Sequence, residues 1–253
     1  MRFSLLGFNI IFNLRKIESA MLYDTAIQNR YFVCFMLIVC VVSYFVYKLE
    51  VAMPVYTIFL GVFMIVSEFI LVFTLSSEIG WDCGMVLNAA QEKNLEICNE
   101  YLSIYPNNLL LVLIFRVWND LLNSGNDMYI LNTNLLNIIA MGVSYVLIYL
   151  ISRFYFENKV TKLTLLYFVF IIGISPWIII PYSDIQMMPW GLLLVYYFMT
   201  WEMQSGKRKI VLMSMKIGCV CFVGLHIKPT FVVVYVALFS MNLLRNSNFA
   251  HKF

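Results

Sequence analysis

Glu78 and Asp82 stand in "SSEIGWDCGMVLNAA", directly after an apolar run, with Trp81 and two glycines beside them. Far downstream, "PYSDIQ" carries Tyr182 and Asp184, and "HIKPT" carries His226 and Lys228 ahead of Pro229. Carboxylates at the edge of apolar segments, opposite a cationic side chain, suit transfer reactions on a lipid-anchored phosphate. Lys228 could hold the phosphate electrostatically while a carboxylate takes the proton of an attacking hydroxyl. Burial against apolar walls would lift that carboxylate toward a useful pKa. Tyr105, Asn107 and Asn108 in "YPNN" add polar groups to the same set. Asp82 and Asp184 could share a divalent cation through oxygen, whereas His226 and His251 lie too far apart for a local ligand pair. The sequence requires no cofactor.

Each of these residues also has a plain structural reading. Glu78 could be a solvated acid at a helix end, and Asp184 a helix cap after Pro181. Pro229 suits a first helical turn, which leaves Lys228 snorkelling to the headgroups. His226 could be a packed ring. Inside the apolar runs, Glu68 and Lys216 stand out, since a charge at mid-bilayer costs about 2.5–3.5 kcal/mol. Lys216 is close enough to an edge to snorkel. Glu68 either lines a cavity leading to the site or pairs with a group the sequence does not name.

Such residues need helices to position them. The chain has 253 residues, 62% hydrophobic and 12% charged, where a soluble domain carries about 25% charged residues. That balance requires an integral membrane protein, and a formal charge of +3 without a basic tract excludes nucleic acid as a partner. At roughly 20 apolar residues per crossing, about seven spans (roughly six to eight) are expected. They fall at 31–49, 54–75, 133–152, 163–180, 187–201, 209–226 and 229–244. The expected fold is an all-α polytopic transmembrane helix bundle, since only helices satisfy their own backbone in lipid. It divides into an N-terminal interfacial segment (1–30), a first helix pair (31–75), an outer loop (76–132) and the remaining spans (133–253).

Loop charge sets the orientation. "SRFYFENKVTK", "SGKRK" and the tail with Arg245 and Lys252 read as inside, which puts "PYSDIQ" and "HIKPT" outside. Residues 76–132 carry Glu78, Asp82, Glu92, Glu96, Glu100, Asp120 and Asp127 against Lys93 and Arg116, so they belong outside too. That requires residues 106–123 to lie in the interface as an amphipathic helix, with Trp118 at headgroup level. An inside C-terminus and seven spans place the N-terminus outside, against the charges of Arg2, Arg15, Lys16 and Arg30. Cys34, Cys40, Cys219 and Cys221 lie in spans. Cys83 and Cys98 share the outer loop and could pair on an oxidising side, although free thiols are the expected state.

In order, "GWDCGMVLNAA", "YLSIYPNNLLLVLI", "SPWIIIPYSDIQMMPWGLLL" and "HIKPTFVVV" resemble the multi-spanning GT-C glycosyltransferases, Gram-positive bacterial type. The resemblance covers residues 76 to about 240. It implies transfer of a sugar from a polyprenyl-phosphate donor to an extracytoplasmic glycan or protein, at the outer face of the cell membrane. Asp82 maps onto the essential acid of the first outer loop, ahead of Glu78; Asp184 maps onto a second acid, and Lys228 onto the position near the lipid phosphate. Tyr105 to Asn108 match the interfacial helix of that loop. Family members continue through further helices, so the chain is expected to lack the C-terminal part, with a membrane partner completing the fold. The alternatives are a non-enzymatic polytopic subunit and a transporter, the latter expected to show broken helices and repeats.

Overall fold

The computed structural model describes residues 25–77, 80–125, 128–201 and 206–250. Glu78, Asp127, His251 and most of the N-terminal segment lie outside the described residues. Helices account for almost everything described, and no strand occurs among these residues. They are α1 (Thr25–Lys48), α2 (Met53–Leu75), α3 (Trp81–Ala90), α4 (Leu95–Ile104), α5 (Leu109–Leu121), α6 (Tyr129–Tyr155), α7 (Asn158–Tyr167), α8 (Ser183–Trp201), α9 (Lys207–Ile227) and α10 (Phe231–Ala250).

The α2 helix shows the principle of the bundle. Pro54 sits in its first turn, where a missing N–H costs nothing. Tyr56, Leu60, Met64, Glu68 and Val72, each four residues apart, are its buried stripe. Ile58, Phe59, Val62, Ile70 and Phe73 stay exposed on the other faces. A helix apolar all round is a membrane span rather than a surface helix. Among the described residues, three helices, α2, α6 and α9, are long and apolar enough to cross a membrane on their own. The central α6 turns polar atoms inward: Thr133, Asn134, Asn137 and Ser144 are fully buried.

The two ends of the bundle differ in charge. At the basic end, Lys162 is buried and donates to the carbonyls of Leu49 (2.8 Å) and Val51 (2.7 Å) in the α1–α2 turn. Lys162 is thus a clamp, where the sequence suggested only a loop charge. Lys159 lies over the Tyr47 ring, and the Ser43 hydroxyl meets that of Tyr167 at 2.7 Å, so α1 runs antiparallel to α7. Its Thr25 end therefore points toward the acidic end.

The stretch 163–180, expected as one span, is broken. After α7 the chain passes through a π turn, Phe168–Gly173, and a 3-10 turn, Pro176–Ile179. Pro176 has no N–H and disfavours helical Ser175, so the ladder stops there. Asn137 of α6 repairs the break by donating to the carbonyls of Ile178 and Ile180, both at 2.9 Å. The Gln186 amide donates in turn to Asn137 Oδ1 at 2.8 Å, tying α8 to the same point.

Residues 76–132 form more than a loop with one helix. Helices α3 and α5 share a core of Cys83, Val86, Leu87, Ala90, Leu111 and Phe115 with Tyr129 of α6, and α4 packs against it through the partly buried Tyr101. Helix α4 and the segment Pro106–Leu121 would pass as a crossing only jointly, and they are bent by 109°. Hydrogen bonds fix both ends of α5 at the acidic end. Asn108, just before it, bonds to Tyr101, and near its end Asn119 donates to Thr133 in the first turns of α6 at 2.8 Å. Helix α5 therefore lies across that end. Its exposed Leu113, Val117 and Leu121 flank an edge carrying Arg116 and Asp120.

Candidate functional site

The acidic end gathers the polar residues into a chain. Asp82 occupies the first turn of α3, where the helix dipole favours a negative charge. Trp81 before it has φ +65° and is almost wholly exposed, a strained conformation for an aromatic residue. The start of α3 is held against the α8 approach by Cys83, whose thiol donates to the Pro181 carbonyl at 3.4 Å. That places Tyr182 beside Asp82: the hydroxyl donates to Oδ2 at 3.5 Å, a long contact.

Tyr182 also meets Tyr101 of α4, and the Asn108 amide donates to Tyr101 Oη at 2.8 Å. Asn107 donates to Asn108 Oδ1 at 3.1 Å, which makes five linked side chains from Asn107 to Asp82. Asn108 is buried. Burial first, and then the charge of Asp82, pushes the Tyr182 phenol above its usual range. Tyr101 is pushed up by burial, then by Tyr182 and Asp82. Both phenols therefore stay protonated and able to donate at neutral pH.

Two residues beyond Tyr182, Asp184 pairs with Lys228 from the end of α9. Phe231 fixes that turn by seating its ring on Gly224, where a Cβ would come within 2.7 Å of the ring. Only glycine allows this approach. Asp184 also stands at a pocket of about 330 Å³ whose other walls are Met141, Ile171, Ile172, Ser175, Trp177, Ile185 and Met188. The pocket is an apolar slot with one acid and one hydroxyl on its lining. The charge of Asp184 is felt at Tyr182, so the ion pair and the polar chain share that residue.

Among the sequence-predicted residues, Asp82, Tyr182, Asn107, Asn108, Asp184 and Lys228 fall in this region. The Tyr105 ring lies 5.0 Å from that of Tyr101, tilted by 40°, and stays half-exposed. His226 turns back on its own helix: its Nδ1 lies 2.8 Å from the Phe222 carbonyl and its ring 4.2 Å from that of Phe222. No group of three His, Cys, Asp or Glu side chains that could hold a metal occurs among the described residues. A cation bridging Asp82 and Asp184 would have to compete with Lys228 for Asp184. Tyr101 was not singled out from sequence, since the bend of 109° between α4 and Pro106–Leu121 brings it to Asn108 and no helical spacing does. Cys83 and Cys98 are separate buried thiols, the latter donating to the Lys93 carbonyl at 3.3 Å.

No curated protein and no solved structure matches the chain. A family described as "conserved hypothetical integral membrane protein" matches residues 3–252. The inward polar face, the lipid-facing apolar surface and this match agree, and the chain belongs to that family of integral membrane proteins.

Proposed function

We propose that the protein is a membrane glycosyltransferase that moves a sugar from a polyprenyl-phosphate donor to an extracytoplasmic glycan or protein acceptor at the cell membrane. One observation carries this reading: Asp82 bonds to Tyr182, which also feels the charge of Asp184, and Asp184 pairs with Lys228 and lines an apolar slot. The slot offers a path for an isoprenoid tail, and Lys228 a positive charge for the phosphate. Asp82 then takes the proton of the acceptor hydroxyl as its oxygen bonds to the anomeric carbon. The carbon–oxygen bond to phosphate breaks with inversion, and the electron pair leaves on the lipid phosphate, which Lys228 neutralises. Tyr182 holds the Asp82 carboxylate in position. No cofactor enters this scheme.

The test is sugar transfer from a radiolabelled polyprenyl-phosphate sugar in membranes that contain the full chain. Asp82→Asn is expected to lower transfer by about 10²–10⁴-fold while insertion and yield stay unchanged. Undiminished transfer by that variant would overturn the assignment. A second reading, a transporter, is favoured by one specific feature: the break between α7 and α8 beside a membrane-embedded acid. Donor-independent solute flux in proteoliposomes would decide for it.

A further inference from the structure

Glu68 belongs to no part of the site described above. It lies at the middle of the α2 stripe, one turn from Met64 and one from Val72, and is fully buried. Neither carboxyl oxygen has a hydrogen-bond partner among the described residues. Its neighbours on the stripe belong to the apolar cluster formed with Ile138, Met141, Val169 and Ile178. The π turn presses on α2 here, since a Cβ on Gly173 would lie 2.6 Å from the Met64 sulfur. Breaks of this kind free backbone carbonyls inside a membrane and are used elsewhere to bind ions.

Among the described residues, the polar side chains of α6, α7 and α8 that could satisfy Glu68 are committed elsewhere. On α6, Asn137 serves the carbonyls of Ile178 and Ile180, Ser144 donates to Ala140, and Tyr145 donates to Thr57. Asn134 gives its amide to Ser76, which leaves its Oδ1, an acceptor, without a partner. On α7, Lys162 is held at the far end by Leu49 and Val51. On α8, Gln186 is bonded to Asn137 and Asp184 is paired with Lys228. The π and 3-10 turns carry no charged residue. A divalent ion asks for six or more oxygens, commonly from several carboxylates. A single carboxylate among apolar side chains suits a single positive charge.

We propose that Glu68 is a binding site for one monovalent cation, a proton or Na⁺, inside the bundle against the α7–α8 break. The site stands whichever reading of the acidic end holds. Occupation would stabilise the broken stretch against α2, and release would leave a charge that the apolar core disfavours.

The test is labelling of the full chain in proteoliposomes with dicyclohexylcarbodiimide, an apolar reagent that adds to protonated carboxyls in membranes, read by peptide mass spectrometry. Glu68 is expected to label ahead of the exposed Glu96 and Glu100. If the bound cation is a proton, labelling falls as the pH is raised and Na⁺ has no effect. If it is Na⁺, labelling at fixed pH falls about tenfold with Na⁺ at about ten times its dissociation constant. Labelling of Glu68 that ignores both pH and Na⁺ overturns the proposal. So does a Glu68 that reacts only after denaturation. Glu68→Gln serves as the blank, and its elution as a single species in detergent checks that it folds.

Discussion

The polar chain at the acidic end and the lone Glu68 of α2 treat their polar atoms in opposite ways. At the acidic end Asn107, Asn108, Tyr101, Tyr182 and Asp82 hand hydrogen bonds along a chain. At the centre of α2, Glu68 has nothing to receive. A satisfied network makes a rigid local structure, whereas an unsatisfied buried group keeps its full desolvation cost. The contrast separates a place built to hold a geometry from one that awaits something from outside the chain.

Removal of one polar group from each region should therefore change stability with opposite sign. Tyr101→Phe deletes the acceptor for Asn108 and is expected to cost about 1–3 kcal/mol, read as a lower melting temperature in detergent. Glu68→Leu replaces an orphaned carboxyl with an apolar chain and is expected to gain about 1–2 kcal/mol in a Na⁺-free buffer at alkaline pH, where neither cation occupies the site. Equal losses for both would erase the distinction.

A smaller effect follows from pH. Tyr101 and Tyr182 have raised pKa values in the folded protein, so the folded state holds their protons more tightly than the unfolded state. Their contribution is complete below about pH 10 and is lost as the pH climbs through the folded values. Melting curves taken upward from pH 9 should fall, less steeply in Tyr101→Phe.

Thiol labelling gives a finer contrast. Burial pushes the Cys83 thiol up to about 12, so it should resist a membrane-impermeant maleimide in the folded protein. The exposed neighbour in Trp81→Cys should react at once, and from the outside if the acidic end faces out. The smallest effect is expected at Asp184 and Lys228. Asp184 is more than half exposed, so a double-mutant cycle through Asp184→Asn and Lys228→Met should show less than about 1 kcal/mol of coupling in stability.

The class of fold was legible because lipid requires apolar helices and leaves a long signal in composition. The placement of α2, α6 and α9 followed from apolar length alone. The break after α7 was masked because "YFVFIIGISPWIII" is apolar throughout, and hydropathy does not register a π turn. Pro176 was its local sign. The core that joins α3 to α5 escaped notice because helices of only 10 and 13 residues leave too short a run for a periodic apolar face to stand out. The polar chain was half legible. Asp82, Asn108 and Tyr182 stand out by type, but Tyr101 joins them only through a sharp bend that no periodicity encodes. His226 was conspicuous as a residue type, yet its ring serves its own helix.

The Lys162 clamp bears on how the chain is built. The carbonyls that it holds, at Leu49 and Val51, precede it by 113 and 111 residues. At synthesis rates of about 5–20 residues per second, the first turn is made on the order of ten seconds before its lysine emerges. During that interval α1 and α2 have no tether at the basic end and are free to tilt or to engage other inserted helices. Arrival of α7 closes the assembly from behind, so the N-terminal pair is inserted first but locked in place late.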